Sequence, residues 1–160
     1  MPDAPIPSDP NFAERVADSF ARQGAMAHLG AILGAVGPGT VEIRLPHRPE
    51  VTQQHGFFHG GIVATIADSA GGYAAYTLMP ADASILTVEY KINMLAPAKG
   101  RELVARGKVV KPGRTLTVTT VEVFALDGAR ETLCAVLQQT LICLQGRADG
   151  PPPGWAAGTK

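Results

Sequence analysis

One carboxylate stands alone in a long apolar stretch of the chain. Between residues 60 and 79, every residue other than Asp68 is apolar, small or a neutral hydroxyl. Burying a carboxylate is unfavourable unless the group is paired or used in chemistry. Asp68 could attack a carbonyl carbon directly or act as a general base for water. A surface aspartate on a solvated helix face is the plain alternative.

Two glycines stand at the start of this stretch. The stretch is long enough for a helix, and Pro80 would end it. Gly60 and Gly61 would then open the helix, where backbone N–H groups lack partners within the helix and lie at the positive end of its dipole. Such groups can stabilise the negative oxygen that develops on a carbonyl under attack. The stretch therefore combines a carboxylate with candidate oxyanion donors.

Three roles are open to His59, which directly precedes the glycines. We expect it to brace the loop by hydrogen bonding; it could also act as an acid, or bind a metal together with His55. A metal site needs a third ligand, and the sequence has no HExxH or CxxC motif and no acidic cluster beside these histidines. We therefore expect no metal site.

The elements around the helix follow from hydrophobic period and turn residues. Residues 10–23 are predicted as a short amphipathic helix, and residues 26–36 and 41–45 as a hairpin. After the long helix, apolar residues recur at every second position, which predicts an antiparallel meander of strands over residues 85–94, 101–111, 115–126 and 131–144. In the first of these strands, one face is predicted to carry Leu86, Val88, Tyr90, Ile92 and Met94, and the other Thr87, Glu89, Lys91 and Asn93.

This order of elements predicts an α+β protein with one long central helix against an antiparallel sheet of about six strands. The Ala and Gly residues of the helix leave almost no side-chain bulk, so a curved sheet can approach its backbone closely. The strand over residues 85–94 would leave an edge that must be paired or protected. Dimerisation through that edge would protect it.

Composition bounds the class of protein. The chain has 160 residues, 46% of them hydrophobic, and a formal net charge of zero, which fits one globular domain and no nucleic-acid partner. We place that domain at residues 10–145, between a flexible N-terminus (residues 1–9) and a flexible Gly/Pro-rich tail (residues 146–160). The absence of a long apolar run predicts no membrane partner. Cys134 and Cys143 are expected to be buried in a strand, which fits a cytoplasmic protein.

A set of motifs resembles a known family. Gln53 lies six residues before the run His59-Gly60-Gly61, and Asp68 lies nine after His59. The turns Pro-Ala-Lys-Gly (residues 97–100) and Lys-Pro-Gly-Arg-Thr-Leu (residues 111–116) follow. Together they resemble the hot dog fold acyl-CoA thioesterases, in particular the phenylacetate-pathway (PaaI-like) branch. The resemblance implies a central helix wrapped by a six-stranded antiparallel sheet, homodimers joined through the strand after the helix, active sites at the dimer interface, and homotetramers built from such dimers.

The resemblance also implies roles for single residues. Asp68 matches the catalytic carboxylate, and Gly61 the backbone amide that polarises the thioester carbonyl. Gln53 matches a loop amide side chain, at a position where many members have Asn. Thr87 matches a hydroxyl that helps to hold the reacting water. Arg114 and the basic strand end at Lys108 and Lys111 match the region where members hold the phosphates of coenzyme A.

The remaining candidates would contact the substrate. Phe58 and Tyr73 could line an acyl or aryl pocket, although packing in the core or a dimer would explain them equally well. The full set of substrate-binding candidates is Gly60, Phe58, Tyr73, Lys111, Gly113 and Arg114. Coenzyme A is expected as part of the substrate, with no separate cofactor.

The expected function is hydrolysis of an acyl- or aryl-CoA thioester to the free acid and coenzyme A. One alternative is a hydratase or dehydratase of the same fold, which would need a histidine acid/base in its pocket. Another is a module that binds acyl-CoA without turnover. Serine hydrolase chemistry is disfavoured, because the sequence has no G-x-S-x-G motif.

Overall fold

Three α-helices, a 3-10 turn and six β-strands form the described part of the protein. A computed structural model describes residues 5–151 and residue 154. In chain order the elements are α1 (Phe12–Ala21), α2 (Gly24–Leu29), β1 (Ile32–Gly37), β2 (Thr40–Pro46), the 3-10 turn (Pro49–Val51), α3 (Gly60–Tyr76), β3 (Ser84–Met94), β4 (Glu102–Lys111), β5 (Leu116–Asp127) and β6 (Arg130–Leu144).

The six strands form one antiparallel sheet in the order β1-β2-β4-β5-β6-β3. The sheet packs around α3, which contacts β2 and the four strands that follow the helix. Most of α3 is buried, since small and apolar side chains cover nearly its whole circumference. The predicted α+β architecture, a hot dog fold with a long central helix and a six-stranded antiparallel sheet, is confirmed.

The predicted meander is wrong at one strand. β4, β5 and β6 do follow one another as hairpins, but β3 pairs with β6 at the far edge of the sheet and not with β4. The connection after β3 carries the chain across the end of the sheet, where the carbonyl of Arg101 accepts a hydrogen bond from the N–H of His47 beside β2 (2.8 Å). Because β4 is aligned with β2 in this way, β3 is left at an edge.

Glycines allow the helix and sheet to approach closely, as the sequence predicts. A Cβ atom on Gly107 of β4 would lie 2.4 Å from the carbonyl oxygen of Ala70 in α3. A Cβ atom on Gly71 would lie 2.8 Å from Thr119 Oγ1 and 2.9 Å from Val121 Cγ2. Real Cβ atoms do not come this close to other atoms, so the backbones can meet here only because both positions are glycine.

The apolar run before the first hairpin is a helix in its first half, so the predicted strand over residues 26–36 is wrong there. Met26 and Leu29 are three positions apart in α2, and both are buried. Gly30 then ends the helix in the left-handed conformation, with a φ of 73°. A short apolar run does not by itself distinguish a helix from a strand.

A β-bulge at Val88 divides β3 into two halves, because the register with β6 shifts there. Opposed residues of antiparallel strands share a face. Thr87 opposes the buried Leu141, and Tyr90 opposes the buried Gln139, so both face the helix. The predicted unbroken alternation along β3 is therefore wrong. The helix-facing side carries Ile85, Thr87, Tyr90, Ile92 and Met94.

Both chain ends extend beyond the described residues. The predictions for residues 1–4, 152–153 and 155–160 lie outside the described residues, and the proposed limits of the domain stay a prediction. Before α1, Asp9 is buried and forms a salt bridge with Arg15 (3.0 Å). Cys134 and Cys143 are buried and not bonded to each other. Among the helices described, none is both long and apolar enough to cross a membrane.

Candidate functional site

Asp68 and Thr87 form the centre of the candidate site. Asp68 lies on α3 and is partly exposed, and the Thr87 hydroxyl on β3 donates a hydrogen bond to its Oδ1 atom (2.8 Å). Both residues border a cleft of about 380 Å³ between α3, the end of α1 and β3. The second carboxylate oxygen accepts no hydrogen bond from the described residues, so the group can still bind water. The pair has the chemistry of a general base or a nucleophile with a positioned carboxylate.

Gln139 on β6 fixes the backbone of Asp68 from the side of the helix that faces the sheet. The Gln139 side chain is fully buried, and its Nε2 atom donates to the carbonyl oxygen of Asp68 (3.2 Å). Its Oε1 atom has no hydrogen-bond partner among the described residues. A buried, half-satisfied amide is unfavourable, and this one ties the turn of helix that carries Asp68 to the sheet.

The start of α3 is capped by His59. The ring Nδ1 atom of His59 accepts a hydrogen bond from the N–H of Gly61 (3.0 Å), in the manner of an N-cap side chain. In a neutral ring the proton therefore lies on Nε2. A carbonyl substrate would have to share the Gly61 N–H with this ring or displace it. Gly60 lies beside β3, since a Cβ atom there would be 3.5 Å from Met94 Cε.

Gln53 is directed into its own loop. Its side-chain Oε1 atom accepts a hydrogen bond from the backbone N–H of His55, and the backbone N–H of Gln53 donates to the carbonyl of Phe57 (2.9 Å). Neither Gln53 nor Gly61 borders the Asp68 cleft. Seven positions of helix separate Gly61 from Asp68, which is about 10.5 Å along the axis at 1.5 Å per residue. A single chain therefore brings Asp68 and Thr87 together but leaves Gln53 and Gly61 apart from them.

The other substrate-binding candidates occupy two further places. Phe58 is buried and packs edge-on against His47, with 5.2 Å between ring centroids, so in one chain it belongs to the core. Lys111, Gly113 and Arg114 are exposed at the β4–β5 turn. Gly113 and Arg114 border a second cleft of about 480 Å³ at the C-terminal end of α3, away from Asp68.

Tyr73 does border the Asp68 cleft, and it brings polar residues that the sequence did not single out. Its hydroxyl accepts a hydrogen bond from Gln23 Nε2 (2.9 Å) and shares another with Ser19 Oγ (3.2 Å). Ser69 Oγ donates weakly to Gln23 Oε1 (3.4 Å). Burial raises the pKa of Tyr73, so its hydroxyl stays protonated at neutral pH. The i, i+4 spacing of Ser69 and Tyr73 is a signal in the sequence, whereas Gln23 has none.

The described residues around the cleft contain neither a group of metal ligands nor a histidine. Within residues 5–151 and residue 154, no group of three His, Cys, Asp or Glu side chains is placed to hold a metal ion. Of the described residues that border the cleft, none is a histidine. The histidine acid/base expected for a hydratase is therefore not among the described residues that border this cleft.

Comparisons with known proteins show that the chain is similar to thioesterases in sequence and in fold. The sequence model of the thioesterase superfamily matches residues 55–132. A crystal structure of a thioesterase family protein from Silicibacter pomeroyi is 50% identical, has a TM-score of 0.83, and covers 84% of this chain and 99% of its own. Human acyl-coenzyme A thioesterase 13 is 33% identical over 59% of this chain and 68% of its own length. The E. coli PaaI protein, 17% identical with a TM-score of 0.77, covers 86% of this chain and 96% of its own and shares the fold.

Proposed function

The chain belongs to the thioesterase superfamily, and from that premise we propose that it hydrolyses acyl- or aryl-CoA thioesters to the free acid and coenzyme A. The observation that carries the proposal is the hydrogen-bonded pair of Asp68 and Thr87 at a cleft in an otherwise apolar helix. A carboxylate with one oxygen held and one oxygen free is suited to take a proton from water. Coenzyme A enters as part of the substrate, and we propose no separate cofactor.

Two routes lead from Asp68 to the products. As a general base, its carboxylate takes a proton from water while the water oxygen bonds to the thioester carbonyl carbon; the C–S bond then breaks and the thiolate of coenzyme A takes up a proton. As a nucleophile, the carboxylate bonds to that carbon and expels the thiolate, and water then hydrolyses the mixed anhydride. A single turnover in heavy-oxygen water separates the routes, because label in Asp68 itself supports the anhydride.

We propose that a second copy of the chain completes the site. The negative oxygen that develops on the thioester needs hydrogen-bond donors. Gly61 on α3 and Gln53 in the loop before it lie too far from Asp68 of the same chain to supply them. β3 is an edge strand with exposed apolar side chains, among them Val88 (56% exposed) and Met94 (50% exposed). Pairing of two β3 strands would cover these side chains. It would also carry the helix N-terminus of one copy towards Asp68 of the other.

We propose that the phosphates of coenzyme A bind at the β4–β5 turn. Lys111 and Arg114 are exposed cations there, and Arg in particular suits a phosphate group. The binding energy that they supply would be the same in the ground and transition states. Arg114→Ala should therefore raise KM and leave kcat nearly unchanged. We propose further that pairs of dimers form a homotetramer, and that the protein acts in the cytoplasm, where its buried thiols would stay reduced.

The test of this function is a thiol-release assay with short, medium, long and aryl acyl-CoAs. Asp68→Asn keeps the size of the side chain but removes the base, so kcat should fall by about 100-fold or more. Asp82→Asn, at an exposed position outside the cleft, is the matched control and should behave as the wild type. Full activity of a folded Asp68→Asn variant would refute the role of the carboxylate.

The same assay separates the rival functions. A change in enoyl-CoA absorbance without release of free thiol would indicate a hydratase or dehydratase. Saturable binding of coenzyme A esters with no thiol release across the panel would indicate a binding module. Either result would overturn the proposed hydrolysis.

A further inference from the structure

One wall of the Asp68 cleft is formed by α3, the end of α1 and the link from α1 to α2, and it carries uncharged polar side chains. The salt bridge of Arg22 with Asp149 (2.7 Å) borders the cleft beside this wall. Ser19, Gln23, Ser69 and Tyr73 all border the cleft, and hydrogen bonds link them in one chain of contacts. We call these four residues the polar wall. The opposite side of the cleft is formed by apolar side chains of β3 and β6, Ile85, Leu86 and Leu141.

The polar wall lies where an acyl group bound at Asp68 would extend. Ser69 follows Asp68 directly, and Tyr73 lies one turn beyond Ser69 on the same helix face. Tyr73 is therefore about 7.5 Å along the helix axis from Asp68, at 1.5 Å per residue. A substrate whose thioester carbon is at Asp68 would place the middle or end of a short acyl group against this wall.

Two residues of the polar wall, Gln23 and Ser69, can form further hydrogen bonds. Gln23 has a second N–H besides the one that it donates to Tyr73, and the hydroxyl of Ser69 has free lone pairs. The Ser69 contact to Gln23 is long, at 3.4 Å, and is easily exchanged for a better partner. An aliphatic chain against this wall would displace water from these groups without replacing its hydrogen bonds, which is unfavourable.

Two aromatic side chains pack against the ring of Tyr73 and limit its movement. It is 4% exposed and packs against Phe20 and Tyr76, with ring centroids 6.0 Å and 6.2 Å away. Its hydroxyl therefore has a fixed position at the cleft. Fixed polar groups discriminate between ligands more strongly than groups that can turn away.

We propose that the polar wall selects acyl groups that carry a hydroxyl or carbonyl oxygen. In this arrangement the carbon skeleton of the acyl group lies on Ile85 and Leu141, and the oxygen bonds to Gln23, Ser69 or Tyr73. This inference rests on the proposed hydrolysis of acyl-CoA thioesters and names the substrate class of that same site. It assigns specificity to two residues, Gln23 and Ser69, that have no role in the hydrolysis itself.

The experiment compares matched pairs of substrates. A chain-length series of saturated acyl-CoAs is paired with the ω-hydroxy counterpart of each, and kcat/KM is measured by thiol release. At the best-fitting length, the hydroxy member should be preferred by about 3- to 10-fold, the effect of one net hydrogen bond. Tyr73→Phe and Gln23→Met should each bring this ratio close to one. Gln23→Met, which changes a residue outside the substrate-binding candidates named from the sequence, should leave kcat/KM for the plain acyl member unchanged or higher.

The control is Tyr76→Phe, which removes a hydroxyl from a buried tyrosine on the same helix that does not border the cleft. It should keep the wild-type ratio. A purely structural polar wall would lower kcat/KM for both members of each pair equally. That result, or a wild-type ratio near one at every length, would overturn the inference and leave the hydrolase intact.

Binding of non-hydrolysable analogues keeps the two proposals distinguishable. Thioether analogues of the same pairs, titrated calorimetrically, report on the polar wall without turnover. If no thioester is cleaved, the proposed function fails, and a difference in Kd between paired analogues would still support selection at the wall. Equal Kd values for the paired analogues would overturn it.

Discussion

Asp68 is held from two directions by two strands of the sheet. Thr87 on β3 binds its carboxylate (2.8 Å), and Gln139 on β6 binds its backbone carbonyl (3.2 Å). The first contact sets the direction of the carboxylate, and the second sets the position of the helix turn. A misplacement of a reacting group by a single ångström can lower a rate strongly. Both contacts are therefore expected to matter for turnover.

Thr87 offers a direct test of this positioning. Thr87→Val has nearly the same shape and removes only the donor, so kcat should fall by about 10-fold, as expected for one hydrogen bond to a charged group. Thr87→Ser restores a hydroxyl and should recover most of the activity. Steady-state thiol release by the two variants, at equal thermal stability, gives the comparison. Equal kcat values for Thr87→Val and the wild type would show that the contact is not used.

Chemical type and local spacing predicted part of this site. Asp68 and the helix start at Gly60 and Gly61 are recognisable because their chemistry is unusual for an apolar stretch. Gln139 and Gln23 are not, since they come to α3 from positions 71 and 46 residues away along the chain. Only the fold brings them there. The direction of the Gln53 side chain into its own loop was likewise beyond the sequence, because it depends on the turn that residues 53–57 adopt.

The central helix is thin on the side that faces the sheet, and two adjacent glycines differ sharply in how much space they have. A Cβ atom on Gly71 would lie within about 3 Å of three packed side chains, Thr119, Val121 and Gln139. A Cβ atom on Gly72 would be 3.7 Å from Leu141 Cδ2, an ordinary contact. The two positions therefore respond oppositely to one added methyl group.

Alanine at each position tests this. Gly71→Ala should lower the free energy of unfolding by about 1–3 kcal/mol through overpacking. Gly72→Ala should raise it by about 0.5–1 kcal/mol, because Ala favours the helix over Gly and finds room. Urea unfolding followed by circular dichroism measures both. The helix-propensity gain is the same for the pair, so a stabilised Gly71→Ala variant would contradict the close packing.

At the level of elements, long patterned segments were predictable and short or irregular ones were not. The last three strands were located within one residue at each end, since their alternation is clear over ten or more positions. The central helix was located within three residues, from its long apolar stretch and the proline that follows it. The short helix α2 was not predicted, because the positions of Met26 and Leu29 fit either a helix or a strand. The bulge at Val88 escaped because an inserted residue leaves no mark on composition.

The strand order follows from how the chain crosses the sheet, and it gives the molecule two edges, β1 and β3. The apolar pattern of β3 suggested from sequence that this strand needs a partner. Which strand it joins could not be predicted from that pattern, since β4 and β6 are both amphipathic. Its exposed side is where a second copy of the chain would pair.

A charged substitution on this edge tests the proposed assembly. Val88→Lys would place a charge on each of the two β3 edges that are proposed to pair, which disfavours pairing. The variant should sediment as a monomer and lose thiol release, because the site would lack its oxyanion donors. Analytical ultracentrifugation and the thiol assay report on the two effects.

Val110→Lys is the matched control, since Val110 is equally exposed (60%) but lies on β4. It should keep the assembly of the wild type and stay active. A monomeric wild type with full activity would refute a site shared between copies. So would a Val88→Lys variant that stays dimeric and active.

The sheet pairs its strands in a different order from that in which the ribosome makes them. β3 is synthesised before β4, β5 and β6, yet its pairing runs from Ser84 with Leu144 to Met94 with Ala135. Pairing over such a distance is slow, because a large loop must close first. Until β6 has emerged, β3 is an unpaired apolar strand that invites aggregation. A stop codon just before Arg130 would therefore leave two strands out of the sheet, because β6 would be missing and β3 would have no strand to pair with.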